Sequence, residues 1–226
     1  MDFSFDRSPA DTISQPPADA ATPAARLLER VGDAAFPCVG AKAALARGAI
    51  RTLALGPLGC PRDDARLLDA IADFAGFVEA RPDGDTTVHS LAVVFAGPAR
   101  TDEARFEALL GAQLQRLHDL DRARGQAWAE GVSTDPDDAR FSLSLAGHPF
   151  FVIGLHAGAS RLARRFETPV LVFNSHLQFD ALRADGRYPP LHARVAGRAH
   201  AVLDALYGDH AHRATADTML VASVIP

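Results

Sequence analysis

The stretch FSLSLAGHPFFVIGLH, residues 141–156, constrains the fold of this chain more than any other. Two strand-like runs meet at a turn near Gly147-His148, and a connection that short closes only as a β-hairpin. In the first run Phe141, Leu143 and Leu145 alternate with Ser142 and Ser144, the period of a half-buried strand. The second, FFVIGL, is apolar throughout and reads as a strand covered on both faces. AGASRLARRF then forms a loop and short helix before another buried strand, TPVLVFNSH. Strands this close in sequence, without a long crossover between them, pair antiparallel.

The rest of the chain supplies helices to cover such a sheet. Thr22-Pro23 opens a first helix, because proline suits the first turn, and Leu27, Leu28 and Val31 form its apolar stripe. FPCVGAKAALARG breaks at Pro37 and Gly40 and resumes as a short second helix. Asp63 and Asp64 open a long amphipathic helix in which Leu67, Leu68, Ile71, Phe74 and Val78 recur at helical spacing. TTVHSLAVVFAG is β-branched and too short for a buried helix, so it is a strand. Thr101 is the expected N-cap of the next helix, whose inner face carries Phe106, Leu109, Leu110, Leu114 and Leu117. After the polar loop STDPDDAR and the strands, LQFDALRADG reads as a helix stopped by Gly186, and LHARVAGRAHAVLDALYG as a last helix weakened by Gly197. The expected fold is α+β: a single domain over residues 21–226, with a mostly antiparallel central sheet flanked by helices. Residues 1–20, with Pro16, Pro17 and no hydrophobic period, read as a disordered N-terminal tail.

Composition narrows the function classes. The formal net charge of -5 argues against a nucleic-acid binder, which needs a surplus of Lys and Arg. No run approaches the roughly 18 apolar residues of a membrane span. The N-terminus carries acids and prolines where a secretory signal has an apolar core, so a cytoplasmic protein with reduced Cys38 and Cys60 is expected. There is no Gly-x-Ser-x-Gly elbow, no phosphate-binding glycine motif, and no Cys-x-x-Cys or His-x-x-x-His pair.

Two histidines stand where a buried strand gives way to a loop or helix: His156 after FFVIGL and His176 after VLVFN. A neutral imidazole at such a point can ligate iron or relay protons, or simply cap the element it ends. Arg161, Arg164 and Arg165 follow His156 closely, as a carboxylate- or phosphate-pairing cluster or a solvated basic face. Cys38, in an apolar setting, reads as core rather than as a thiolate ligand. His200, His210 and His212 read as a solvated end.

Several of these strings resemble the YqcI/YcgG family, which includes the haem-dependent N-hydroxylases of guanitoxin and D-cycloserine biosynthesis. They are FPCVGAKAALARG, SLAVVF, LHDLDRARGQAW and, most strongly, the block from DDARFSLSLAGHPFFVIGLH to FDALRADGRY. The family's Gly-Leu-His-Pro-x-Ser-Arg pattern falls on Gly154, Leu155, His156, Ala157, Ala159, Ser160 and Arg161, with Gly158 at the variable position if one residue slides. Its Phe-Asn-x-His-x-Gln-Phe pattern falls on Phe173, Asn174, His176, Gln178 and Phe179. Residues 189–226 depart from the family: its Arg-Asp pair, Asn-Pro and Gln-Tyr-Ser-Gly-like ending are not present.

The resemblance implies haem b, with its iron, as cofactor. It also implies dioxygen, an electron donor and a small guanidine-containing substrate, arginine or a derivative. On this chain it implies His156 as the axial iron ligand with His176 as the alternative, and Arg161 and Arg164 as propionate anchors. Asn174, Phe151 and Phe173 would join the cofactor site, with Phe150 and Phe179 as further porphyrin contacts. The carboxylate facing the guanidinium is open among Asp180, Glu130 and Asp119. A homodimer is an open expectation, as are a haem sensor without turnover and a cofactor-free interaction domain.

Overall fold

The computed structural model describes residues 22–82, 84–135, 138 and 141–184. The N-terminal tail, Gly186, the last expected helix and His200, His210 and His212 lie outside the described residues. Helix α1 (Pro23–Gly32) is N-capped by Thr22, whose hydroxyl accepts from the Ala25 N–H at 3.2 Å. Helix α2 (Val39–Ala46) begins at Cys38, and that thiol sulfur accepts from the Ala41 N–H at 3.4 Å. Cys38 is therefore a half-buried cap.

Strands β1 (Ile50–Leu55), β2 (Ser90–Phe95), β3 (Leu143–Leu145), β4 (His148–Leu155) and β5 (Val170–Ser175) form one sheet in the order β1-β2-β5-β4-β3. All neighbours pair antiparallel except β1 and β2, which run parallel. Helix α3 (Asp64–Glu79) makes the crossover that a parallel pair requires. Helix α4 (Glu103–Ala123) packs beside it, and α5 (His176–Ala184) starts directly where β5 ends. The α+β architecture expected from the sequence is the one observed.

One face of the sheet meets α3 and α4 through Phe150, Leu171 and Phe173 against Leu67, Ile71, Phe74, Leu110, Leu114 and Leu117. The opposite face carries a smaller cluster in which Leu27 of α1 meets Ala92, Val94, Leu155 and Val170. Two-sided burial explains why β2 is buried at every position.

Four expectations change in detail. Strand β1 was not anticipated: it is an edge strand whose Arg51 and Thr52 are exposed, so its sequence lacks a buried-strand signature. Ser142 and Ser144 are as buried as the leucines beside them. Their hydroxyls are satisfied, Ser142 donating to the Phe150 carbonyl and Ser144 accepting from the Ala129 N–H. Strand β4 is covered on both faces only at its ends, since Ile153 is 39% exposed. The N-cap of α4 is Asp102, which accepts from the Arg105 N–H at 2.8 Å, while Thr101 is buried just before it.

A polar network locks α3 to α4. The buried Asp64 carboxylate accepts from Gln113 Nε2 at 2.6 Å and from Arg116 Nε at 2.7 Å, and Arg116 also donates to Gln113 Oε1 at 2.9 Å. Asp64→Ala strips the acceptor from the fully buried Gln113 amide and the partly buried Arg116 and should lower the unfolding free energy by about 2 kcal/mol, read from the urea midpoint at unchanged slope. A loss below about 0.5 kcal/mol would show that packing alone joins these helices.

Candidate functional site

The register of β4 on β5 decides which predicted residues can meet. Leu155 pairs with Val170 and Phe150 with Ser175, so His156 and His176 emerge from opposite ends of the strand pair. Five residue steps along a strand separate those ends by about 17 Å. Within one chain, no single iron can take both imidazoles. Arg161 and Arg164 stay with His156, whereas Asn174, Phe151 and Phe179 stay with His176.

At the first end the loop after β4 folds back on itself. The His156 N–H donates to the Arg164 carbonyl at 3.0 Å, and its own carbonyl accepts from Ala159 and Phe166. The ring stacks on Phe106 of α4, with centroids 4.3 Å apart and planes at 16°. Two glycines permit this approach. A Cβ on Gly154 would collide with the Phe106 ring, and one on Gly158 would stand 2.6 Å from the Thr101 carbonyl oxygen. The Gly154-to-Gly158 spacing thus records the close contact of α4 with this loop.

His156 is 3% exposed, and its Nδ1 is buried with no hydrogen-bond partner. Burial lowers its pKa below the ordinary 6.5; the nearby Thr101 carbonyl, outside hydrogen-bond geometry to Nδ1, and then the Glu103 carboxylate oppose the shift. Glu103 is held below its ordinary range by hydrogen bonds from the Ser160 hydroxyl and N–H. Burial, and then the charge of Arg161, lower the pKa of Arg164. An open cleft of about 550 Å³ adjoins the loop between Ala157, Arg165 and Phe166 and the charged side of α1.

The second end is built differently. The His176 ring lies 4.3 Å from that of Phe151, which also meets Phe179 edge-on at 5.7 Å. Its Nε2 stands 3.6 Å from the Asp180 carboxylate, one turn along α5. Ile153 of β4 and Leu177 of α5 are the exposed large hydrophobics among the described residues. Asn174 accepts from the Ser90 hydroxyl at 2.6 Å, and Gln178 clamps both backbone groups of His89. These two residues tie β5 and α5 to β2. Phe150 and Phe173 point to the α3 side, where both are fully buried core.

Two clusters were missed by sequence reasoning. His148, fully buried, joins Glu79 Oε1 at 2.7 Å and Ser175 Oγ at 2.8 Å. The order carboxylate–imidazole–hydroxyl is that of a nucleophilic relay, but Ser175 is also fully buried, so the cluster serves as a strut between α3, β4 and β5. The second is Asp121, 6% exposed at the end of α4 beside a cavity of about 400 Å³. The expected carboxylates Asp119 and Glu130 are exposed, and Asp180 faces His176. Asp121 continues the apolar stripe four residues beyond Leu117, and a carboxylate on a buried stripe is the signal that could have found it.

The YqcI/YcgG family profile matches residues 27–210. This chain belongs to the YqcI/YcgG family. It is also 29% identical over 170 residues to a Streptomyces lavendulae protein named as an N(omega)-hydroxy-L-arginine synthase, DcsA. That similarity covers 70% of this chain and 60% of the relative, so the chain spans under two thirds of its length. No solved structure matches. No helix of the described residues is long and apolar enough to cross a membrane.

The depressed pKa of His156 has a consequence for stability. The unfolded chain takes up a proton near the ordinary 6.5 while folded His156 stays neutral, so stability present above that pH is lost as the pH falls through the folded value. His156→Gln should flatten the fall in stability below about pH 6.5, followed by urea midpoints. Burial, and then Arg81 and Arg51, likewise depress His89, which keeps the remaining slope. An unchanged profile in the variant would mean that His156 is protonated in the folded state.

Proposed function

We propose that this protein is a haem-dependent oxygenase that hydroxylates a guanidine nitrogen of arginine or an arginine-derived small molecule. Family membership and the name of the Streptomyces relative support arginine N-hydroxylation. The observation that carries the cofactor reading is the surface around His176. An imidazole against Phe151, whose ring also meets Phe179, next to a strand on which Ile153 is 39% exposed, suits an apolar porphyrin. His156 offers the same donor atom type, but Phe106 covers its ring and the Gly154 and Gly158 spaces are filled by α4 and Thr101. His176 is therefore the favoured ligand, with Phe151 and Phe179 against the macrocycle. His156, Arg161 and Arg164 form the alternative site, where the two arginines would receive propionates.

A bound haem would supply dioxygen binding and oxygen transfer. One oxygen atom enters the new N–O bond and the other leaves as water, with two electrons and two protons drawn by way of an electron donor. The chain's own part is local. Asp180, 3.6 Å from Nε2, would orient the His176 imidazole. Phe151 and Phe179 keep water from one side of the site, and the Asn174 and Gln178 clamps fix the strand end that presents it.

Purified from cells supplied with haem precursor, the protein should show a Soret band that shifts on reduction and again with L-arginine. Turnover with a reductant should yield N-hydroxylated product. His176→Ala should abolish the band and His156→Ala should keep it. The reverse pattern would move the ligand to the opposite end of β4. A Soret band without product would leave a haem-binding protein, and a colourless protein after hemin reconstitution would remove haem chemistry from this chain.

A further inference from the structure

We infer that the cavity at the C-terminal end of α4 is a cation site for a guanidinium group, with Asp121 as its carboxylate and the Trp128 and His118 rings as its aromatic wall. The cavity holds about 400 Å³ and is lined also by Gln126, Thr134 and Ser144, with Arg122 at its exposed rim.

Three features of this place select a cation. Asp121 is buried, and a single hydrogen bond, from the Ala146 N–H to Oδ2 at 2.9 Å, serves its carboxylate; Oδ1 accepts none among the described residues. A buried carboxylate half-supplied with donors attracts a ligand that brings more, and a guanidinium brings a fork of them. Asp121 also lies in the last turn of a 21-residue helix, where the macrodipole is negative and adds to the carboxylate. The His118 and Trp128 rings meet edge-on, with centroids 5.5 Å apart at 74°, in the same wall, and aromatic faces favour a planar cation. The indole N–H of Trp128 is buried without an acceptor among the described residues, which marks the wall as unfinished packing rather than core.

Anchoring the hairpin accounts for part of the Asp121 role. Ala146 is held at a φ of 53°, and Asp121 fixes its N–H. That task needs one acceptor oxygen, which an asparagine also supplies. It leaves the second oxygen and the cavity without a use, and of the charge it takes no advantage beyond the distant attraction of His118 and Arg124.

The placement connects this cavity to the site at His176. Ser144, in its wall, pairs with Pro149 of β4. Phe151 lies two residues on along the same face, a diagonal separation of about 7–8 Å, and carries the His176 ring. His156 lies at the other end of α4, a helix of about 30 Å. That a guanidinium here is the substrate group rests on the oxygenase reading; that the cavity takes a guanidinium does not.

Trp128 is the single tryptophan of the chain, so its emission and its indole NMR resonance report on this cavity. Titration of the full-length, haem-free protein with L-arginine should change both saturably, while L-citrulline, the uncharged isostere, should not. Asp121→Asn keeps an acceptor for Ala146 and should weaken L-arginine at least tenfold. Ala127→Leu, at the exposed rim, should weaken it comparably with an unchanged circular dichroism spectrum. No saturable response in the wild type, or equal affinity in both variants, would overturn the site. Arginine binding without a Soret band would sink the oxygenase reading and keep the site, whereas a Soret band with a silent Trp128 would do the opposite.

Discussion

The pairing of β4 with β5 governs the geometry of this protein. Because successive side chains alternate, the register that sets Phe150 against Ser175 sends Phe150, Val152 and Gly154 toward α3 and α4 and turns Phe151, Ile153 and Leu155 the other way. Gly154 then leaves the gap into which Phe106 fits, and that fit fixes where α4 begins and hence which residues reach its far end. A slip of one residue would bury Ile153, expose Phe150 and drive a side chain into Phe106. The same antiparallel direction parts the two histidines. Helix α4 repeats the separation on the core side, starting beside His156 and ending beside the hairpin turn.

Much of this architecture was readable from the sequence, and the misses have physical causes. The hairpin, β2 and the helices declare themselves through periodicity, and Thr22-Pro23 through its capping chemistry. Strand β1 hides because an edge strand with Arg51 and Thr52 outward has neither alternation nor an apolar run. Ser142 and Ser144 mimic a solvent face because binary patterning cannot tell a solvated hydroxyl from a buried one that has a backbone partner. Among site residues, both histidines were found from their position at strand ends. Their separation was not, since strand direction is a property of pairing. Asp121 is hard to read from sequence because only the helical face marks it: the apolar stripe has to be followed one turn past Leu117 to reach it.

The strings that carry the family resemblance also perform structural work. Gly154 and Gly158 are required by the approach of α4, whatever His156 does. Asn174 and Gln178 hold β5 and α5 to the start of β2 through Ser90 and His89. LHDLDRARGQAW ends α4 and supplies the Asp121 anchor for the hairpin. Similarity in these strings therefore attests the fold first, and chemistry has to be argued from features that the fold does not need.

By that standard the two ends of the sheet differ. At the His156 end Gly154 and Gly158 have packing reasons, and the imidazole, its Nδ1 buried without a hydrogen-bond partner, is closed in by protein on the side that those glycines would otherwise open. At the other end packing does not account for two exposed large aliphatic side chains, Ile153 of β4 and Leu177 of α5, or for a second oxygen on the Asp121 carboxylate. Apolar surface left in water costs roughly 25 cal/mol per Å², and a carboxylate with one oxygen unserved by protein donors is served by those a ligand brings. Such expenses persist where a ligand relieves them. An apolar cofactor on the β4–β5 face and a cation at Asp121 would relieve them together, at one end of the sheet.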